Sequence, residues 1–317
     1  MELRGATMGT SYSVKAVYPI EPPVAQEDLK SEIDRELGRI NQLMSTYDPE
    51  SELSRFNVWS STVPFEVSPD TLEVIRAARD LYESTGGLFD PTVGPLVDLW
   101  GFGPEKRRTA PPSREEIEAG RVLVGMNRLT EGPGNAIAKE VPGLHLDLSA
   151  IAKGYGSDKV SELLLRKGFA DHMVEIGGEI VVRGLNRNRK PWSLGIDSPD
   201  QPPGRRELIH MLALTNAALA TSGNYRNFFE HEGVHYTHVI DPRTGYPVPD
   251  TVRSVTVIAP SCMRADGAAT AVMVMGATRG LEWAERKGDL EALILARDSD
   301  GGTQELRTAG MSGYVVE

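Results

Sequence analysis

The sequence predicts an α+β fold in which mixed, largely antiparallel sheets are flanked by helices. Amphipathic helical stretches occur between short strand pairs that are joined by glycine turns, and no segment of 20–50 residues recurs, which excludes a repeat protein. About 40% of the 317 residues are apolar and 25% are charged, as in ordinary globular proteins. Because no linker is visible, we expect residues 1–317 to form a single domain of two lobes.

The N-terminal part predicts one strand and two helices. Residues 8–17 alternate as a strand does, and Pro22-Pro23 then interrupts the chain. Over residues 26–45, apolar side chains recur every three or four positions, which predicts an amphipathic helix. Residues 69–84 repeat this pattern. A loop rich in glycine and proline follows at 85–106, and loops of this length in a compact chain are usually functional.

The C-terminal part predicts strands that alternate with two further helices. A short strand at 144–148 leads into a helix that begins near residue 150, and residues 173–184 (MVEIGGEIVVRG) predict a strand, a glycine turn and a strand. The remaining predictions are a strand at 192–197, a helix or strand at 208–220, a hairpin at 228–242, a strand at 254–260, a helix at 265–287, a strand at 291–297 and a terminal strand near 313–317.

The charge and the single cysteine exclude several classes of function. The formal net charge is −11 and the basic residues are scattered, so we expect no nucleic-acid partner. An acidic protein that handles phosphates usually needs a metal ion or backbone amides. Cys262 is the only cysteine, which excludes an internal disulfide and cysteine-based metal sites, and we expect a buried, inert thiol.

Residues His231 to His235 (HEGVH) match the HExxH pattern of zinc hydrolases. That pattern binds zinc on a helix, where residues four apart share one face. Here Gly233 and the flanking aromatic and β-branched residues favour a hairpin instead. A zinc hydrolase, which would use a different mechanism, is therefore kept as an alternative.

Two groups of polar residues are candidates for chemistry. His238 follows a predicted strand and precedes the loop IDPRTGYPV, so it is either a general base or a residue that only bonds a loop carbonyl. If a helix begins near Asp266, this carboxylate and the Thr270 hydroxyl share a face and offer oxygen ligands to Mg²⁺, beside N–H groups that suit a phosphate. The alternative is an ordinary N-cap aspartate. A third site, at the Asp147 to Lys153 strand–helix junction, can bring backbone carbonyls and a lysine to a ligand.

Eight segments, taken in order, resemble the ApbE family of FAD:protein FMN transferases. They extend from residue 8 to residue 276, nearly the whole chain, and the combination is far more specific than any one segment. The segments are MGTSYSVK, LMSTYDPESELSRFN, GLFDPTVGPLVDLWGFGP, LDLSAIAKGYGSDKV, VEIGGEI, TSGNYRNFF, THVIDPRTGYPV and ADGAATAVMVMG.

The resemblance implies an FAD site in a cleft between the two lobes. It also implies a Mg²⁺ ion held by the main-chain carbonyl of Ala150, by Asp266 and by Thr270, with His238 needed for catalysis. Some relatives carry a second aspartate where this chain has Ala269, so fewer protein charges would hold the metal. The residues implied to contact FAD are Met8, Tyr47, Leu88, Phe89, Asp90, Asp147, Lys153 and Ile240.

The implied reaction cleaves the FAD pyrophosphate, attaches FMN through a phosphoester bond to a Thr or Ser hydroxyl of a target protein, and releases AMP. His238 or Asp266 would accept the hydroxyl proton. The implied acceptors are subunits of membrane redox complexes, and the implied location is the periplasm, with a lipoprotein anchor to the inner membrane that this chain lacks. The alternatives are an FAD pyrophosphatase that yields free FMN and AMP, and a flavin-binding protein without activity.

Overall fold

The computed structural model describes residues 1–18, 24–103, 108–200, 207–224, 228–298 and 300–316. The predicted break at Pro22-Pro23 and residues 225–227 of the segment TSGNYRNFF lie outside the described residues. The strands, in chain order, are β1 (Glu2–Thr7), β2 (Thr10–Ala16), β3 (Phe65–Glu66), β4 (Leu129–Glu131), β5 (Ala136–Lys139), β6 (His172–Ile176), β7 (Glu179–Arg183), β8 (Trp192–Asp197), β9 (Leu208–Leu214), β10 (Ala217–Gly223), β11 (Phe228–His231), β12 (Val234–Thr237), β13 (Val252–Ala259), β14 (Glu291–Arg297), β15 (Thr303–Arg307) and β16 (Val315–Val316).

Eight of these strands form the central sheet, in the order β1-β2-β6-β7-β10-β13-β14-β15, and every neighbouring pair is antiparallel. Two three-stranded sheets, β16-β9-β8 and β3-β5-β4, and the hairpin β11-β12 complete the strand content. The helices are α1 (Gln26–Met44), α2 (Glu52–Val58), α3 (Pro69–Thr85), α4 (Gly94–Leu99), α5 (Arg114–Arg121), α6 (Ala152–Arg166), α7 (Cys262–Met275) and α8 (Ala277–Lys287).

The central sheet is buried on both faces because its side chains alternate between two apolar clusters. Val255 and Val257 of β13 pack with residues of α3, α7 and α8. Ile258, which points to the opposite face, packs with Leu194 and Leu212 of the sheet β16-β9-β8. The molecule therefore has three layers: the helices, the central sheet and the sheet β16-β9-β8. The predicted α+β class is confirmed.

The predicted strand at 144–148 is wrong, although its alternation is real. Leu144, Leu146 and Leu148 are fully buried, but the segment pairs with no strand in the described structure. Instead the Asn57 side-chain amide donates to the Leu146 carbonyl at 2.9 Å and accepts from the Leu146 N–H at 2.8 Å. A side chain thus satisfies backbone groups that a neighbouring strand would otherwise satisfy.

The predicted helix over 265–287 is two helices, and the first begins earlier than expected. Ser261 caps α7, and Gly276, with φ of 80°, separates α7 from α8. The Asp158 carboxylate accepts the Cys262 and Met263 N–H groups, both at 2.9 Å. Asp266 therefore lies in the second turn, so both its N-cap role and the phosphate site at this helix start are wrong.

The HExxH match at His231 to His235 lies on the hairpin β11-β12, so the zinc-hydrolase hypothesis is wrong. Glu232 and Gly233 form its tip, with φ of 50° and 76°. The two histidines have other partners: His231 Nδ1 lies 3.1 Å from the Thr109 carbonyl, and the His235 ring stacks on Phe228 at 5.0 Å. Within the described ranges, no cluster of three His, Cys, Asp or Glu residues has the geometry of a metal site.

Three smaller outcomes complete the comparison with the sequence. The stretch 208–220 forms strands, β9 and the start of β10. The elements that were not predicted are β1, β3, β4, β5, β15, α2, α4 and α5. Cys262 is fully buried, as expected, and burial raises the pKa of its thiol well above the usual value. Among the described residues, no helix combines the length and the apolar character that a bilayer crossing requires.

Candidate active site

A cavity of about 1080 Å³ lies where the starts of α6 and β7, the middle of α7 and the end of β10 meet. It is slightly larger than most small-molecule sites, which measure roughly 300–1,000 Å³. The loop at 88–94 forms one wall, and the segment 238–242 after β12 forms another. Eleven of the residues predicted for the site line this cavity: Tyr47, Leu88, Phe89, Asp90, Asp147, Ala150, Lys153, His238, Ile240, Asp266 and Thr270.

The cavity is strongly acidic. Among the residues that the structure describes, seven carboxylate side chains line it, and Lys153 is the lysine in that lining. A phosphate anion in this field is repelled unless a cation comes with it. The lining carboxylates are Asp90, Asp98, Asp147, Glu175, Glu179, Asp197 and Asp266.

Lys153 stands between two buried carboxylates. Its Nζ lies 3.1 Å from Glu179 Oε1 and 3.6 Å from Asp266 Oδ1. Burial alone would lower the pKa of Lys153, but Asp266 and Glu179 together hold it above its usual range. Burial, with the nearby Asp266 carboxylate, raises the pKa of Glu179 above its usual value, and burial also raises the pKa of Asp266. The cluster therefore contains one cation for two acidic groups.

The predicted metal ligands form a set of oxygen donors that fits Mg²⁺. In a regular helix the Gly154 N–H would bond to the Ala150 carbonyl, but here it donates to Asp266 Oδ2 at 2.9 Å. Across the described ranges, no backbone N–H outside the regular elements donates to the Ala150 carbonyl. Thr270 lies one turn after Asp266 on α7, and its hydroxyl is 3.3 Å from Ser222 Oγ. The position at which some relatives carry a second aspartate is Ala269 in this chain, which supplies no carboxylate and is fully buried in the core.

His238 reaches the cavity from the segment after β12, on the wall supported by an aromatic cluster. Its ring meets Phe102 edge to face, with 6.3 Å between the ring centres. Trp100, which is fully buried, stacks on Tyr236 at 5.4 Å and donates its indole N–H to the Gly245 carbonyl at 2.8 Å. The indole hydrogen bond thus ties the aromatic cluster to the turn 241–245, which begins three residues after His238.

The predicted flavin contacts differ in what they can offer. Tyr47 is 71% exposed, whereas Leu88 and Phe89 are buried in the wall. The Asp90 carboxylate is already occupied, because it accepts from the Thr92 N–H and hydroxyl and from the Met126 N–H. Asp90 thus organises its own loop and joins it to the segment at Met126.

Met8 is the predicted site residue that the structure does not bring to the cavity lining. It sits in the turn between β1 and β2, with φ of 47°, and its neighbours Thr10 and Ser11 line the cavity. Its side chain packs on the core, so close to α6 that a Cβ at Gly156 would lie 3.1 Å from its methyl carbon. Its contact with the flavin stays a prediction.

Two residues of the site were missed by the sequence analysis, although signals for both exist. Glu179 begins the apolar strand EIVV directly after two glycines, an unusual place for a charge. His145 and Asp147 alternate with the buried leucines of 144–148, so both point away from the core, and both line the cavity. Burial and the Lys139 ammonium lower the pKa of His145.

Known proteins resemble this chain along almost its whole length. The profile of the ApbE family matches residues 8–294. The FAD:protein FMN transferase of Vibrio cholerae is 47% identical over 302 residues, which are 95% of this chain and 89% of that protein. The FAD:protein FMN transferase of Escherichia coli K12 is 35% identical over 94% of this chain and 84% of its own length.

Solved structures agree with the sequence comparisons. The flavin transferase ApbE from Vibrio cholerae superposes with a TM-score of 0.91 at 44% identity, covering 99% of this chain and 98% of that one. The apo flavinyl transferase ApbE of Pseudomonas stutzeri gives a TM-score of 0.89 at 35% identity, covering 99% and 96%. From the profile, the identities and the shared fold, the chain belongs to the ApbE family.

Proposed function

We propose that this protein is an FAD:protein FMN transferase, which cleaves FAD and attaches FMN through a phosphoester bond to a Thr or Ser hydroxyl of a target redox protein. The observation that carries the proposal is the convergence of His238, Asp266, Thr270 and the Ala150 carbonyl on one cavity large enough for a dinucleotide. The curated relatives have the same activity in their names.

The reaction depends on Mg²⁺ in this proposal. Asp266, Thr270 and the Ala150 carbonyl would hold the ion, and few protein charges would leave part of its coordination shell to water and phosphate. When bound, the ion supplies positive charge that offsets the charge developing on the pyrophosphate as the bond to AMP breaks. The acidic lining supports this proposal, because the Lys153 ammonium is already shared by two carboxylates.

His238 is the better candidate for the general base. Both oxygens of Asp266 are engaged, Oδ2 by the Gly154 N–H and Oδ1 by Lys153, and Asp266 is also a proposed metal ligand. The His238 ring lines the cavity wall. His238 would accept the proton of the acceptor hydroxyl as its oxygen attacks the FMN-side phosphorus. The phosphorus–oxygen bond to AMP then breaks, and AMP leaves with the bridging oxygen.

The acceptor and the location are proposed from family membership. We infer that the acceptor is a subunit of a membrane redox complex, and that the protein works in the periplasm as an inner-membrane lipoprotein. Tyr47, which is 71% exposed beside the cavity, is suitably placed to meet such a protein.

The test combines FAD, Mg²⁺ and an acceptor domain that contains a threonine, and follows AMP release together with the acceptor mass. We expect AMP that depends on Mg²⁺ and an acceptor heavier by one FMN. His238→Ala should lower the transfer rate at least 100-fold, the lower range for loss of a general base. AMP with free FMN, after several acceptors have been tried, would instead indicate a pyrophosphatase, and no AMP at all would indicate a flavin-binding protein.

A further inference from the structure

Glu179 is a buried carboxylate at the edge of the cavity with one oxygen in use. Its residue exposure is 4%, and Oε1 lies 3.1 Å from Lys153 Nζ. Oε2 is buried and has no hydrogen-bond partner in the described part of the chain. A buried carboxylate is costly unless a nearby charge compensates it, so its presence here needs a reason.

The position of Glu179 relative to Lys153 is fixed by the fold. Glu179 follows the turn Gly177-Gly178, whose φ values are 63° and 110°, and its carbonyl accepts the Ser157 hydroxyl of α6 at 3.0 Å. Lys153 lies in the first turn of the same helix. The start of β7 and the start of α6 therefore hold the carboxylate and the ammonium at a set distance.

The Asp266 carboxylate cannot pair equally well with Lys153 and with a metal ion at the same time. Lys153 Nζ is 3.6 Å from Asp266 Oδ1, and a divalent cation bound to that oxygen would repel the ammonium. With a cation at Asp266, Lys153 would depend on its other carboxylate partner. Glu179, the closer partner already, is that carboxylate.

We propose that Glu179 is a positioning residue that keeps Lys153 in the cavity while the Asp266 carboxylate passes from Lys153 to Mg²⁺. Lys153 would then stay in the cavity, where its positive charge would favour an anionic pyrophosphate. This inference rests on the proposed function, because it requires that Asp266 hold the ion. It assigns Glu179 an effect on metal binding that acts through Lys153.

The first experiment measures Mg²⁺ affinity by titration calorimetry without FAD. We expect Glu179→Gln to weaken Mg²⁺ binding about tenfold, since Lys153 then has Asp266 as its remaining partner and competes harder with the metal. Glu175→Gln is the matched control, because Glu175 lines the same cavity and loses the same charge, whereas the ion pairs of Lys153 are with Glu179 and Asp266. It should weaken binding by less than about threefold.

The second experiment repeats Glu179→Gln in a Lys153→Gln background. If Glu179 acts through Lys153, the substitution has little effect there, and the double-mutant cycle shows coupling. Equal weakening with and without Lys153 would mean that Glu179 attracts the ion directly, and this would overturn the proposal. So would a Glu179→Gln protein with unchanged affinity, or an unmodified protein that binds no Mg²⁺.

Folding and catalysis are followed separately. Thermal melts by circular dichroism identify any variant that does not fold. If Glu179→Gln does not fold, Glu179→Asp replaces it, since this variant keeps the charge but has a shorter side chain. We expect Glu179→Asp to lose an intermediate amount of Mg²⁺ affinity. FMN transfer by the unmodified protein is measured in parallel. A protein that binds Mg²⁺ but transfers no FMN would contradict the proposed function, while the cycle still decides the role of Glu179.

Discussion

Among single residues, Lys139 is a buried cation that has no role in the proposed reaction. It is 1% exposed, and its ammonium donates to the carbonyls of Phe56, Asn57 and Leu144 at 3.0, 3.0 and 3.1 Å. Burial lowers its pKa to about 8. One side chain thus satisfies three carbonyls beneath the cavity wall, where the segment 144–148 has no strand partner among the described residues.

Replacing Lys139 with methionine should lower the free energy of unfolding by about 3 kcal/mol or more, because buried carbonyls left without a donor cost about 1–3 kcal/mol each. Urea denaturation measures the change. Lys15→Met, at an exposed position of β2, is the control and should change stability by less than about 0.5 kcal/mol. Equal effects of the two substitutions would mean that the three hydrogen bonds contribute nothing specific.

His172 gives the protein a predictable sensitivity to acid. It is fully buried between the Ser161 hydroxyl and the Phe169 carbonyl, and burial lowers its pKa from 6.5 to about 4. Between pH 6.5 and 4 the unfolded chain binds a proton at His172 that the folded chain does not. Its contribution to stability is therefore complete above pH 6.5 and falls as the pH drops.

At pH 5 the lost contribution of His172 is about 2 kcal/mol, from about 1.4 kcal/mol per pH unit. We expect His172→Gln to be less stable at about pH 7.5 but to lose about 2 kcal/mol less than the unmodified protein between that pH and about pH 5. His235→Gln, at an exposed position of the hairpin, should keep the original slope. Denaturant unfolding at both pH values measures the loss of stability for each protein. An equal loss for the unmodified protein and for His172→Gln would contradict the prediction.

At the scale of elements, the contact between α6 and α7 builds the site. A Cβ at Gly154 would lie 2.3 Å from the Cys262 carbonyl oxygen and 2.7 Å from the Met263 nitrogen, so the helices touch through backbone. This close approach lets the Gly154 N–H reach Asp266 and places Lys153 beside it. The glycine is required by proximity and not by a positive φ.

Gly154→Ala should therefore destabilise the protein by about 3 kcal/mol or more, because neither backbone can move without shifting a helix. Gly38→Ala is the matched control: this residue of α1 is exposed, a Cβ there would have no atom within 4 Å, and the change should stabilise by about 0.5–1 kcal/mol. Thermal unfolding compares the two. A Gly154→Ala protein as stable as the original would contradict the backbone contact.

At the scale of the whole molecule, charge controls access to the site. The formal net charge is −11, and the cavity adds its own carboxylates to that field. Such a field repels an anionic dinucleotide over roughly the Debye length, about 30 Å at 0.01 M salt and 8 Å at 0.15 M. Salt should therefore help FAD to bind, opposite to its effect on most charged partners.

We expect the association rate of FAD, at constant Mg²⁺, to rise about two- to fivefold as ionic strength increases from 0.01 to 0.15 M. Stopped-flow flavin fluorescence measures the rate. Riboflavin, which lacks the phosphates, is the control ligand, and its rate should change little. Faster FAD binding at low salt would show that local positive charge outweighs the net charge of the protein.

Much of the local structure could be predicted because its causes are local. Periodicity located α1 and α3, and glycine with aromatic neighbours identified the hairpin that carries the HExxH match. Alternation at 144–148 separated the buried leucines from the cavity-facing His145 and Asp147, even though the strand itself does not form. The ordered motifs were enough to identify the family.

Only the tertiary structure decided how the site is connected. The Lys153, Glu179 and Asp266 cluster joins residues from α6, β7 and α7, and the Asp90 carboxylate is occupied by Met126 N–H from a distant loop. Met8, which its motif predicts at the flavin, packs on the core near Gly156, a contact that its motif does not reveal. Sequence patterns report which face of an element is buried, whereas these contacts depend on how elements far apart in the chain pack and on the charge that burial brings together.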